Sequence, residues 1–104
     1  MRLKLGLATA IGTALIAAQA PAMAQDLSKI RYLAANCANC HGTDGNSVGG
    51  MVSLAGYDRA TFIKNMNAFR SGERPATLMH QISKGYSDQQ IADLAAYFST
   101  QKKK

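Results

Sequence analysis

The chain has 104 residues, with 12 Lys and Arg against 6 Asp and Glu, two Cys and no Trp. That length holds one domain at most, and a formal charge of +6 lacks the density of basic residues that nucleic-acid binding requires. Both cysteines fall in one C-x-x-C run, which an exported chain could close as a disulfide, so the count alone does not assign their chemistry.

Met1-Arg2-Leu3-Lys4 is a short basic start, followed by an uncharged apolar run from Leu5 to Ala18 and the small-x-small triplet Ala22-Met23-Ala24. This pattern predicts a cleaved secretory signal peptide over residues 1–24, with cleavage before Gln25 and export to the periplasm. A transmembrane anchor is the competing reading, but the run falls short of the roughly 20 apolar residues a bilayer core demands. The expectation is therefore a single domain over 25–104 with no stable membrane insertion. Without Arg2 and Lys4, ten cations face six acids, a formal +4. Three of those cations, Lys102-Lys103-Lys104, read as a solvated, frayed end.

The periodicity beyond Gln25 is helical, with no alternating strand-like run. Asp26 is an N-cap candidate for a helix whose apolar stripe, Leu27, Ile30, Leu33, Ala34 and Cys37, runs directly into the first cysteine. From His41 to Gly50 the composition is turn chemistry and predicts a loop. Asp58 caps a second helix bearing Phe62, Ile63, Met66 and Phe69, which Gly72 stops. A short helix is expected around Thr77 to Lys84, before Gly85. Ser87 and Gln90 then form a capping box for a last helix, with Ile91, Leu94, Ala95 and Phe98 as its buried stripe. The predicted architecture is all-α, with three to four short helices.

The run Cys37-Ala38-Asn39-Cys40-His41 is a C-x-x-C-H motif, the signature of c-type haem attachment. The two thiols add to the two vinyl groups of haem, and the adjacent His is held beneath the iron as proximal ligand. A thioredoxin-type pair expects a βαβ setting that this chain lacks. Zinc needs four tetrahedral ligands, which Cys37, Cys40, His41 and distant His80 do not offer. A haem also answers a size problem. About 80 residues make a marginal core, and haem supplies an apolar body for Leu33, Leu54, Phe62, Met66, Leu94 and Phe98 to pack on.

For the opposite face of the iron the candidates are Met51, Met66, Met79 and His80. Met66 lies four after Phe62 and three before Phe69 and reads as core filler. Met51 follows His41 by only ten residues. Met79, after Pro75 and between two helices, is best placed to cross the far face; an ordinary core methionine is its competing reading. His80 reads as a surface or rim histidine.

The stretches from Leu33 to Gly45, Ser53-Leu54-Ala55-Gly56, Phe69 to Met79, and Lys84 to Phe98 resemble the class I cytochromes c across the whole of 25–104. The segment from Phe69 to Phe98 is most similar to the cytochrome subunits of flavocytochrome c sulfide dehydrogenase. The resemblance implies a cytochrome c-like fold around one covalently attached haem c, with Cys37 and Cys40 as thioether sites, His41 as proximal and Met79 as distal ligand. It also implies single-electron transfer without catalysis by the chain alone, accepting electrons from a flavoprotein sulfide dehydrogenase subunit. A free electron shuttle between larger redox complexes is the alternative, and a haem-based sensor or peroxidase-like enzyme is a third reading that needs an open iron position. Many relatives have Pro where this chain has Val52, and that residue's carbonyl accepts a hydrogen bond from the proximal imidazole. Valine keeps the carbonyl but loses proline's stiffness. Arg70, Arg74 and Tyr57 are candidate partners of the haem propionates; the alternative is solvated surface cations and a core tyrosine.

Overall fold

The computed structural model describes residues 27–104, together with Gly6 and Gly12. The rest of the expected signal over 1–24, the cleavage point before Gln25 and the Asp26 cap lie outside the described residues. Among the described residues there are five α-helices, one 3₁₀ turn and no strand. The helices are α1 (Leu27–Ala35), α2 (Ala38–His41), α3 (Arg59–Ser71), α4 (Met79–Lys84) and α5 (Asp88–Ser99), with the 3₁₀ turn at Thr43–Gly45. The all-α fold is as expected; the additional piece is α2, a single turn. None of the described helices is long and apolar enough to cross a membrane.

The first cysteine does not sit in α1, as its stripe suggested. Cys37 N–H bonds to the Ala34 carbonyl at 3.0 Å, an i to i−3 bond that tightens and ends the helix. The chain then restarts as α2, with Cys37 as its N-cap residue. This break swings Cys37 and Cys40 out of one continuous helix and into a compact turn.

The other helix ends follow local chemistry. The Asp58 carboxylate accepts from Thr61 N–H at 2.9 Å and from the Thr61 hydroxyl at 2.7 Å, satisfying an orphan donor at the start of α3. Gly72 ends that helix in a left-handed conformation. Both arms of the capping box on α5 form: Gln90 N–H donates to Ser87 Oγ at 3.1 Å, and Ser87 N–H donates to Gln90 Oε1 at 2.9 Å. By contrast α4 starts at Leu78 without a side-chain cap.

α5 packs against both α1 and α3. Its Leu94 and Ala95 are 0% exposed, and Ile91 and Phe98 nearly so. Each such aliphatic or aromatic side chain contributes about 1.5–3 kcal/mol by leaving water. Phe98 stacks on Phe62 of α3 at 5.9 Å between ring centroids and meets Tyr97 edge-on at 5.2 Å, both within the range of favourable aromatic pairs. Ile30 and Ala34 of α1 close the other side of this core.

The loop between the 3₁₀ turn and α3 is pinned to the core at several points. Leu54 and Ala55 N–H both donate to the Gly45 carbonyl, at 2.7 and 3.1 Å, and Gly56 N–H donates to the Phe98 carbonyl at 2.8 Å. Tyr97 donates its hydroxyl to Asp44 at 2.9 Å, tying the 3₁₀ turn to α5. The lysine segment is not frayed as expected. Asn46 Nδ2 donates to the Lys102 carbonyl at 3.0 Å, and Lys104 N–H donates to Asn46 Oδ1 at 2.9 Å. An amide side chain carries both a donor and an acceptor, so one residue holds the segment from both sides.

Candidate functional site

His41 closes α2 and is 7% exposed. Its Nδ1 lies 2.7 Å from the Val52 carbonyl, which fixes the tautomer: Nδ1–H donates and Nε2 keeps its lone pair. Valine in place of the expected proline has therefore not cost the imidazole its support, because the bond needs only the carbonyl. Gly42 makes the required turn directly after His41. It sits at φ +82°, and a Cβ there would lie 1.9 Å from the Asn46 carbonyl oxygen, so no other residue fits.

The cysteines and His41 open onto a cleft of about 440 Å³, within the roughly 300–1,000 Å³ of cofactor sites. It is lined by Leu54, Phe62, Met66 and Phe69 and by Leu78, Met79 and Ile82. The expected apolar bed is thus correct for Leu54, Phe62 and Met66. Leu94 and Phe98 lie in the helical core, and Leu33 packs against that core rather than lining the cleft. Met51, which its position ten residues past His41 set aside as a distal ligand, also borders the cleft, as does Val52. A second depression of about 480 Å³ lies over Ile63, Asn67, Arg70, Ser71, Asp88 and Ile91, but no thiol, imidazole or thioether reaches it.

All four predicted site residues, Cys37, Cys40, His41 and Met79, line the one cleft. Both thiols are unbridged, Cys37 half-buried and Cys40 exposed, and burial pushes the Cys37 thiol up. His80 lies outside the lining; it is half-buried, and its Nδ1 is sealed from solvent with no hydrogen-bond partner among the described residues. A mostly apolar slot lined by one tied imidazole, a thioether and two unbridged thiols holds the kinds of donor an iron porphyrin takes.

Of the proposed propionate partners, Arg74 and Tyr57 border the cleft and Arg70 does not. Arg70 is engaged behind α3, donating to Asn67 Oδ1 at 2.7 Å and to the Tyr86 carbonyl at 3.3 Å and pairing with Asp88. Arg74 lies 4.9 Å over the Phe69 ring. Sequence reasoning missed Asn65, which lines the cleft and donates to the Tyr57 hydroxyl at 2.9 Å. The signal was present, since Asn65 lies three after Phe62 and four before Phe69 and so shares their face. It also missed Asn36 and Tyr86, which meet beside Cys37 at the cleft edge. Burial and the neighbouring Cys37 raise the Tyr86 hydroxyl, and a hydrogen bond from Asn36 opposes them.

Several proteins are similar to this chain in sequence. The chain is 36% identical over 77 residues to the cytochrome subunit of sulfide dehydrogenase from Chlorobaculum tepidum, covering 74% of this chain and 70% of that protein. It is 41% identical over 70 residues to cytochrome c4 of Pseudomonas aeruginosa, covering 66% of this chain but only 35% of the relative. Against cytochrome c-554(548) of Halomonas halodenitrificans it is 39% identical over 69 residues, covering 62% of this chain and 83% of the relative. The chain spans about a third of the length of several of these relatives, 28% in the case of cytochrome c-552 from Acidithiobacillus ferridurans. Residues 27–102 match the family described as Cytochrome c, and the chain belongs to that family of electron carriers, which hold haem c covalently through two thioethers.

Proposed function

We propose that this chain is a periplasmic monohaem electron carrier, with Cys37 and Cys40 as the thioether sites, His41 as the proximal ligand and Met79 as the distal one. The observation that carries the assignment is the bond from His41 Nδ1 to the Val52 carbonyl. It leaves Nε2 as the free donor in a cleft that Met79 also lines. Haem c supplies a single reversible electron change at its iron. The chain's own part is to hold both donors, exclude water with Leu54, Phe62 and Met66, and leave Arg74, Asn65 and Tyr57 for the propionates. With a protein donor on each face no position is left for substrate, which favours electron carriage over sensing or peroxidase chemistry.

The donor we favour is a flavoprotein that oxidises sulfide, because one relative is named as a sulfide dehydrogenase cytochrome subunit and is matched over 70% of its length. A free shuttle is the second reading. It is supported by a 39% identical relative in Stutzerimonas stutzeri named as a thiosulfate dehydrogenase electron acceptor. Purification from a periplasmic extract separates the two. A flavin-containing chain that stays bound through salt elution supports the subunit, and a lone red protein supports the shuttle. Replacing Met79→Ala should let the ferrous protein bind carbon monoxide, which the parent should refuse; ready binding by the parent would overturn Met79 as ligand.

A further inference from the structure

We propose that Tyr86 is a positioning residue that covers the Cys37 side of the cleft and, by keeping water from that side, raises the reduction potential of the carrier. The inference rests on the haem-carrier reading above and adds a residue to it. The two cysteines of the motif stand in different surroundings. Cys40 is exposed, whereas Cys37 is half-buried and packs, as Tyr86 does, against the helical core. Asn36, Cys37 and Tyr86 all line the cleft. The Tyr86 hydroxyl accepts a hydrogen bond from the Asn36 side chain, while burial and then the neighbouring Cys37 push the hydroxyl above its ordinary value. Burial pushes the Cys37 thiol up as well, so both groups lie where water is scarce.

Tyr86 sits in the short connection between α4 and α5, and its backbone is held on both sides. Its N–H donates to the Ser83 carbonyl at 3.3 Å, and its carbonyl accepts from Arg70 Nη1 at 3.3 Å. Arg70 is fixed in turn by Asn67 Oδ1 at 2.7 Å and by Asp88. The next residue, Ser87, belongs to the capping box of α5. The Tyr86 side chain therefore reaches the cleft edge from an anchored backbone. A tyrosine suits the place, since it offers a large apolar body and one polar tip. The body covers the Cys37 side, and the tip is tied to Asn36. Ferric haem carries one more positive charge than ferrous haem, and water stabilises that charge. Covering the edge therefore favours the ferrous form, burial being one of the levers a protein has on a haem iron. Arg70, which does not border the cleft, acts on it through Tyr86.

The test titrates the holoprotein spectroelectrochemically and records the proton spectrum of its ferric form. Tyr86→Ala should lower the midpoint potential and shift the Cys37 thioether resonances more than those of Cys40. Tyr86→Phe keeps the ring and should retain most of the parent potential. Leu78→Ala removes an exposed apolar side chain elsewhere in the cleft lining and should lower the potential less. A destabilised Tyr86→Ala whose potential and Cys37 resonances match the parent would overturn the proposal. So would a fall in Leu78→Ala or Tyr86→Phe as large as that in Tyr86→Ala. Should Tyr86→Ala fail to hold its haem, Arg70→Lys carries the test. It keeps the charge but loses the fork that reaches Asn67, Asp88 and the Tyr86 carbonyl. A smaller fall in potential is then expected, and an unchanged one overturns the proposal. A parent holoprotein that takes up no electron reversibly would instead overturn the carrier reading itself.

Discussion

Two stretches that line the cleft differ in what holds them. On one, His41 is almost fully buried, bonded to the Val52 carbonyl, and followed by a turn that only Gly42 can make. On the other, Met79 opens a six-residue helix without a side-chain cap, and its neighbours Leu78 and Ile82 are 60% and 43% exposed. The first is organised by backbone hydrogen bonds of the chain itself. The second packs against α3 but has no side-chain cap at its start and leaves exposed apolar side chains beside the cleft. On the proposed ligand assignment, the His41 side is therefore preformed, whereas the Met79 side would be completed by the haem.

The largest effect should come from preventing attachment. A Cys37→Ala/Cys40→Ala chain without haem should lose most of its fixed tertiary structure, since the cofactor replaces water against both walls. A proton spectrum with few dispersed lines is the expected outcome. Full dispersion would break the contrast, and dispersion limited to residues around His41 and α5 would sharpen it. Next is the core on which both walls stand: Leu94→Ala in the holoprotein should cost about 2–5 kcal/mol in a denaturant melt, with little change in the visible spectrum of the haem. If the spectrum moved as much as the stability, the core and the walls would not be separable.

Smaller effects probe the proximal wall directly. Val52→Pro keeps the carbonyl that His41 needs and stiffens the loop, so it should raise stability by about 0.4–1 kcal/mol; destabilisation would show that the loop conformation excludes proline. The smallest concerns α3. The Thr61 hydroxyl, then its backbone N–H, hold the Asp58 carboxyl below its ordinary value. A group whose value is lowered on folding stabilises above its unfolded value near 3.9 and loses that contribution as pH falls below it. Asp58→Asn should therefore flatten the acid limb of the stability profile below about pH 4, and an unchanged slope would remove Asp58 from it.

What could be read from the residues was the chemistry that neighbours in sequence perform on each other. C-x-x-C-H, the Asp58–Thr61 cap and the Ser87–Gln90 box each close within a helical turn, so spacing alone locates them. The helical stripe likewise predicted Phe62, Met66, Leu94 and Phe98 as apolar interior. It did not reveal the break at Asn36 and Cys37, because a 3₁₀ bond and an α bond place the same apolar residues on nearly the same face.

Contacts between distant residues needed the tertiary structure. Arg70 and Arg74 are four apart on paper and equally basic, yet one pairs with Asp88 behind α3 and the other borders the cleft. Only the fold brings Asn46 against Lys102 and Lys104, and only the fold sets the Val52 carbonyl against His41. Local hydrogen bonds and periodicity are properties of a segment, so the sequence by itself determined the haem motif and the helices other than α2. Which side chains share the cleft depends on how the loops return to the core, and long-range packing decides that.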